Sequence, residues 1–244
     1  MNGVLRSAAL SDIGCRRSNN EDSFGYDEAL QVYVVSDGMG GSAGGEIASH
    51  ICVKETLESF ALMRGAYPDF SPSELLYHSI CKANAAVYSV ACTDSSLRGM
   101  GATLVAVCFA GRRAMVANVG DSRAYLLRQK SCTQITRDHS LAEEQIRLGL
   151  MTPEQAARSS IATTITRAMG IGPHIEPDLF TAELSPGDML LLASDGLMRH
   201  VSDPEIASLV AEAGEPQGGC AVLVETTRQR GAGDNVTCLL VEIG

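Results

Sequence analysis

The sequence predicts an α+β layer fold, antiparallel sheets with segregated helices, on three observations. Strand candidates come in runs that alternate with helix pairs. Tight turns such as Gly111-Arg112 join neighbouring strands. No Pro/Gly/Ser-rich linker, internal repeat or low-complexity tract divides the 244 residues. Short β-rich runs open the chain at about 4–10, 23–27 and 31–36. Residues 44–62 read as a helix because Ile47, Ile51, Leu57 and Leu62 fall at roughly helical spacing. A second helix, at about 73–91, follows Ser71-Pro72, a good N-cap and first-turn pair, and carries Leu75, Leu76, Ile80, Ala83 and Val87. Strands are expected at about 102–110, 113–119, 122–128 and 132–136. Residues 138–174 break that rhythm as a short helical insert. Strands resume at about 176–183 and 188–194. Helices follow at about 203–213, opened by Ser202-Asp203-Pro204-Glu205, and at 216–229, with a last strand at 235–242.

Composition narrows the function. Hydrophobic residues make up 45% and charged residues 20%, an ordinary globular balance that allows a sizeable core. The net charge of −10, with no basic run, argues against nucleic acid or an anionic membrane as partner. No apolar run approaches the ~20 residues needed to span a bilayer, and no signal peptide is visible. The eight cysteines include no CxxC pair, so they read as small core residues in a reduced compartment. A cytoplasmic protein is expected.

Three aspartate motifs carry the chemistry: Asp37-Gly38-Met39-Gly40-Gly41, Ser194-Asp195-Gly196 and Gly233-Asp234-Asn235. Each Asp adjoins a hydrophobic run, Val32 to Val35, Met189 to Ala193 or Val236 to Val241. Carboxylates on rigid strand ends can converge on one point, and a glycine beside each lets backbone or ligand come close. Asp-Gly alone is also a common turn signal; three in strand-edge context are harder to read that way. Converging carboxylates repel unless a cation sits among them, and all-oxygen ligation favours Mg²⁺ or Mn²⁺.

The motifs stand in a longer ordered set. It comprises Arg17-Ser18-Asn19-Asn20-Glu21-Asp22, the first Asp-Gly motif, Gly99-Met100-Gly101-Ala102-Thr103, Gly120-Asp121-Ser122-Arg123, Asp138-His139-Ser140, Thr166-Arg167-Ala168-Met169-Gly170, Ser194-Asp195-Gly196 and Gly233-Asp234-Asn235-Val236-Thr237. From about residue 4 to the C-terminus this resembles the bacterial branch of the metal-dependent PPM (PP2C-type) protein serine/threonine phosphatases. The resemblance implies an α-β-β-α sandwich, two antiparallel sheets flanked by helix pairs, as one catalytic domain over 1–244 with a flap insert at about 138–174. It implies hydrolysis of phosphoserine and phosphothreonine on proteins, opposite a bacterial Ser/Thr kinase, by a monomer.

By the same resemblance Asp37 bridges two ions, the Gly38 carbonyl ligates the second, and Asp195 and Asp234 complete the first. Such ions neutralise the phosphate and lower the pKa of a bridging water, so no covalent intermediate is needed. Glu21 and Asp22 would hold metal waters, Asn235 would brace Asp234, and Arg17 would grip the phosphate with its planar fork. Arg16 is set aside because successive strand residues face opposite ways. Asp121, with Asp195, is implied to contribute to a third, weaker metal site.

The sequence departs from the family in places. Arg199 stands four residues after Asp195, where relatives often carry an acidic or amide residue; pointing inward, it would compete with a third ion. Met39 and Ser42 occupy positions where eukaryotic or many bacterial relatives have histidine, which leaves a metal-bound water as the expected general acid. His139 opens the insert and reads as structural. The flap, about 141–164, lacks the family's usual ending and has Ser159-Ser160-Ile161-Ala162-Thr163 there. Two rival classes are weighed: a pseudophosphatase that binds phosphoproteins without turnover, and a metallohydrolase for small phosphoesters. The intact set Asp37, Asp195, Asp234 and Arg17 favours the active enzyme. A phosphate-cradling C-x5-R loop and a GxxxxGK[ST] motif are both absent from the sequence.

Overall fold

Strand alternation builds this molecule in layers. The computed structural model describes residues 5–40, 44–161 and 163–244. Val4, Gly41, Ser42 and Ala162, which belong to segments interpreted from the sequence, lie outside the described residues. The chain begins with β1 (Leu5–Asp12), β2 (Asp22–Asp27), β3 (Val32–Met39), α1 (Gly44–Ala66) and α2 (Pro72–Thr93). After a 3₁₀ turn at Ser95–Leu97 come β4 (Gly101–Ala102), β5 (Leu104–Ala110), β6 (Arg113–Val119), β7 (Arg123–Arg128) and β8 (Ser131–Gln134). The insert holds α3 (Leu141–Arg147) and α4 (Pro153–Ala157). Then follow β9 (Asp178–Glu183), β10 (Met189–Ala193), α5 (Asp195–Met198), α6 (Asp203–Ala213), α7 (Pro216–Gln229) and β11 (Val236–Ile243).

One sheet has the order β1-β11-β10-β7-β8 and the other β2-β3-β5-β6-β9, with β4 paired to β3. Every strand pair is antiparallel. Side chains of period two divide the core among three interfaces. Tyr33, Val35, Val105, Leu190, Leu192 and Leu239 pack between the sheets. Val34 and Ala106 turn the other way, onto Phe60 of α1 and Ile80 of α2. Leu191 and Leu240 likewise meet Ile206 of α6 and Leu223 of α7. The apolar runs are continuous because helices cover the outer face of both sheets. The result is the expected α-β-β-α sandwich.

Helix ends follow local chemistry. At α2, Ser71 Oγ accepts from the Glu74 N–H at 3.3 Å and the Glu74 carboxylate accepts from the Ser71 N–H at 2.8 Å, a reciprocal cap. Ser202 and Glu205 form the same box at α6, which ends on Gly214 at φ 74°.

Three details differ from the sequence reading. β3 runs on past residue 36 to Met39 because β4 pairs with Gly38 and Met39. The strand expected over 102–110 is split at Thr103, whose backbone turns to Asp37: the Thr103 N–H donates to the Asp37 carbonyl at 2.8 Å. The four-residue α5 is too short to show periodicity. All eight cysteines are free thiols, but Cys15 and Cys92 are exposed rather than core residues. Among the described residues no helix is long and apolar enough to cross a membrane.

Candidate active site

Four strand ends deliver acidic residues to one end of the sandwich. Asp37 lies near the end of β3, Asp195 follows β10, Asp234 precedes β11, and Asp121 sits in the β6–β7 turn. Since β10 and β11 are antiparallel neighbours, with Ala193 opposite Cys238, Asp195 and Asp234 emerge at the same edge. With Arg17, Glu21, Gly38, Met39 and Arg199, all four line a cavity of about 250 Å³.

Close backbone approach explains two of the glycines. A Cβ at Gly38 would collide with the Gly45 carbonyl oxygen, and one at Gly196 with that of Asn235. Both motifs need glycine so that their aspartates can come together.

The carboxylates perturb one another. Burial, then Asp22, Asp195, Asp121 and Asp234, holds the Asp37 carboxyl well above the usual range. Asp121 is pushed up to about 7 by burial and then by Asp195 and Asp138. Asp22 also rises to about 7, chiefly through burial, which the Ser194 and Thr237 hydroxyls partly offset. Burial raises Asp195 too, with Arg199 pulling in the opposite direction. A concentration of this kind is expected at sites that bind a counter-charge.

Two arginines supply part of that charge. Arg17 Nη2 is 2.8 Å from Asp234 Oδ1, and its Nη1 is 3.7 Å from Glu21 Oε2. Arg199 Nη2 pairs with Asp195 Oδ2, and its Nη1 lies 3.6 Å from Asp234 Oδ2. Asp195 Oδ1 nonetheless remains buried without a hydrogen-bond partner. Among the described residues no three carboxylate, imidazole or thiolate side chains stand as a ready-made metal cage. The donor chemistry does fit a hard cation: an orphaned carboxylate oxygen beside three other aspartates, with Gly38 also in the lining.

Other expected site residues have different placements. Arg16 lies in a turn beyond the end of β1 and Arg17 directly follows it, so strand alternation does not decide between them. Arg17 lines the cavity and Arg16 does not. Asp22 lies behind the cavity, paired with Asp37 across β2 and β3. Its Oδ2 accepts from Ser194 Oγ and Thr237 Oγ1, both at 2.7 Å, and ties the two sheets together. Its buried Oδ1 has no partner. The Asn235 side chain does not brace the Asp234 carboxylate; only its backbone N–H does, at 2.9 Å. The amide donates instead to Ile13 and Asn19 carbonyls at 3.0 and 2.9 Å, and accepts from the Glu21 N–H at 2.9 Å. It therefore staples the loop that carries Arg17 and Glu21.

Thr103 and Ser122 belong to the ordered motifs, but the resemblance assigns them no role. Thr103 Oγ1 accepts from the Asp37 N–H at 2.9 Å and lies 2.6 Å from Ser122 Oγ, fixing the backbone of Asp37 to the turn that bears Asp121. The available signal was the place of both hydroxyls within ordered motifs, Thr103 closing Gly99-Met100-Gly101-Ala102-Thr103 and Ser122 following Asp121. His139 is buried outside the cavity, where its Nδ1 accepts from the Gly120 N–H at 3.0 Å and braces the same turn.

Comparison with known proteins agrees with this geometry. Residues 1–236 match the family model "Protein phosphatase 2C". The chain is 37% identical over 240 residues to the serine/threonine protein phosphatase PstP of Mycobacterium tuberculosis, covering 98% of this chain but 45% of that protein. It therefore spans about half the length of that relative. It is 33% identical to the serine/threonine phosphatase Stp of Listeria welshimeri, covering 95% of this chain and 93% of that one. A crystal structure of the M. tuberculosis PstP superposes with a TM-score of 0.89 at 35% identity, covering 98% of this chain and 99% of that chain. The PstP catalytic domain in complex with two manganese ions gives 0.86 at 35% identity, covering 98% of each chain. On the extent of these matches, the chain belongs to the protein phosphatase 2C family.

Proposed function

We propose that this protein hydrolyses phosphoserine and phosphothreonine on proteins, as one catalytic domain over residues 1–244 with a flap at about 138–174. The observation that carries this is the convergence of Asp37, Asp121, Asp195 and Asp234 with Arg17 in one cavity. Two divalent ions, Mn²⁺ or Mg²⁺, held by Asp37, the Gly38 carbonyl, Asp195 and Asp234, would neutralise the phosphate and lower the pKa of water there. Around them the chain's own groups bind and orient. Arg17 offers its guanidinium fork to phosphoryl oxygens, while Asn235 and Glu21 hold its loop. Thr103 and Ser122 fix the backbone beneath the carboxylates. We read the enzyme further as a cytoplasmic monomer working opposite a bacterial Ser/Thr kinase. The test is turnover of a phosphothreonine peptide: it should require added Mn²⁺ or Mg²⁺ and stop with EDTA. Full turnover by exhaustively chelated protein would sink the reading.

Arg17→Ala should raise KM for phosphopeptides roughly ten- to a hundredfold, the scale of lost hydrogen bonds to a charged group. Its kcat should change less, because the phosphate is already gripped in the ground state. Arg16→Ala should do little; the reverse order in steady-state kinetics would put the phosphate elsewhere.

Arg199 holds oxygens that a cation needs. Opposite charges near 4 Å interact by ~4 kcal/mol at an effective dielectric of 20, so even heavy screening leaves a measurable effect. Arg199→Asp should therefore raise Mn²⁺ affinity by about tenfold or more in calorimetric titration. Identical isotherms for the two proteins would show that Arg199 does not compete for the ion.

A further inference from the structure

Beside the carboxylate cavity lies a second one of about 350 Å³, within the size range of small-molecule and side-chain pockets. The two share Met39, Thr163 and Ile165 as a common wall. Its remaining lining is Thr166, Arg167, Ala168 and Ile171, near the end of the 138–174 insert. The backbone of Gly101 comes close beneath it: a Cβ there would stand 2.9 Å from Met39 Cε and 3.0 Å from Ile171 Cδ1. Glycine at 101 thus lets both apolar side chains lie close to the backbone. Ile171 is 55% exposed, so much of its aliphatic surface is open to an occupant. Among the described residues the one cation in the lining, Arg167, is paired through its Nη1. Its Nη1 donates to Asp178 Oδ1 at 2.6 Å and to the Glu176 carbonyl at 2.9 Å. What this cavity offers an occupant is therefore mainly apolar, Met39, Ile165, Ala168 and Ile171, with Thr163 and Thr166 beside them.

We propose that it is a peptide subsite, which receives an aliphatic side chain flanking the phosphorylated serine or threonine. This rests on the phosphatase reading above and adds a sequence preference to it. Continuity identifies the occupant: a peptide whose phosphate lies among Arg17 and the aspartates can leave the site across the shared wall of Met39 and Ile165. Successive residues of an extended peptide advance about 3.4 Å and point to opposite sides, so only certain flanking positions can reach the second cavity. A leucine placed there covers Ile171 and Met39, whereas a glutamate gives up hydration against a mainly apolar lining whose guanidinium is already paired with Asp178.

The experiment uses the full chain with saturating Mn²⁺ and a set of phosphothreonine peptides in an alanine background. A single leucine or glutamate is walked through the three positions on either side of the phosphothreonine. At one or two positions leucine should give about tenfold higher kcat/KM than alanine, the low end of what a hydrophobic pocket discriminates. Glutamate should fall below both. In Ile171→Ser the leucine-to-alanine ratio should collapse towards one. That ratio is taken within one enzyme, so a general loss of catalysis or folding cancels. If the wild type cleaves all peptides at similar rates, the subsite is wrong and the phosphatase reading stands. A preference that survives Ile171→Ser unchanged also overturns the subsite, because the selectivity then lies elsewhere. If no peptide is dephosphorylated, the phosphatase reading fails and the subsite falls with it.

Discussion

Asp37→Ala should lower kcat towards a phosphothreonine peptide at least ~10³-fold, about 4 kcal/mol of transition-state stabilisation, and should raise the melting temperature of the chelated protein. The two effects have one origin. Asp37 is held near the end of β3, and its carboxyl is pushed well up by burial and by four neighbouring aspartates. On the proposed reading it is the carboxylate shared by both ions, so its removal takes away the charge that assembles them. Without metal the same carboxylate is a liability, and deleting it relieves repulsion. Asp195→Ala and Asp234→Ala should match the loss of activity but stabilise less, because each leaves behind an arginine that it now pairs. Among the described residues Asp37 has no such ion pair. Scanning calorimetry in EDTA, alongside steady-state kinetics in Mn²⁺, checks both halves. A variant that keeps near-normal kcat would mean that the site is misplaced; one that loses activity and also melts earlier would give Asp37 a structural role instead.

How much of this could be read from the sequence depends on whether the signal was local. The α+β layer class was legible because strand runs alternate with helix pairs, and the motif resemblance sharpened it to a sandwich; the unbroken apolar runs Leu190 to Leu192 and Leu239 to Val241 are covered on both faces in the folded chain. The convergence of Asp37, Asp195 and Asp234 was legible because each aspartate adjoins a strand, and Asp37 and Asp195 are each followed by a glycine that close packing requires. What escaped was the direction of hydrogen bonds between distant segments. Asn235 could brace its neighbour or a loop more than 200 positions away, and only the folded chain shows that it takes the carbonyls of Ile13 and Asn19. Asp22 likewise reads as one half of an acidic pair with Glu21, yet strand alternation sends it behind the cavity to Ser194 and Thr237. The inward direction of Arg199 was open for the same reason: an arginine four residues after Asp195 reaches it only because α5 turns helically there.

The buried aspartates also make the chelated protein acid-tolerant in a way that metal should reverse. Asp22 and Asp121 titrate near 7 in the folded chain, against an ordinary value of 3.8. Between those limits the native state binds more protons than the unfolded state, so stability falls as pH rises through the window. A tenfold change in proton affinity is worth about 1.4 kcal/mol, which puts the combined effect on the order of several kcal/mol. His139 acts in the opposite direction: burial lowers its pKa, and the stability it contributes is lost as pH falls. The clean readout is therefore a difference between proteins. In EDTA the wild type should melt at a higher temperature at pH 6 than at pH 8, and Asp121→Asn should flatten that slope because position 121 no longer titrates. Saturating Mn²⁺ should remove or invert the wild-type slope, since its ligands bind as carboxylates and metal binding releases protons. Equal slopes for wild type and Asp121→Asn in EDTA would show that Asp121 ionises normally, and that the repulsion inferred for this cluster is already relieved within the protein.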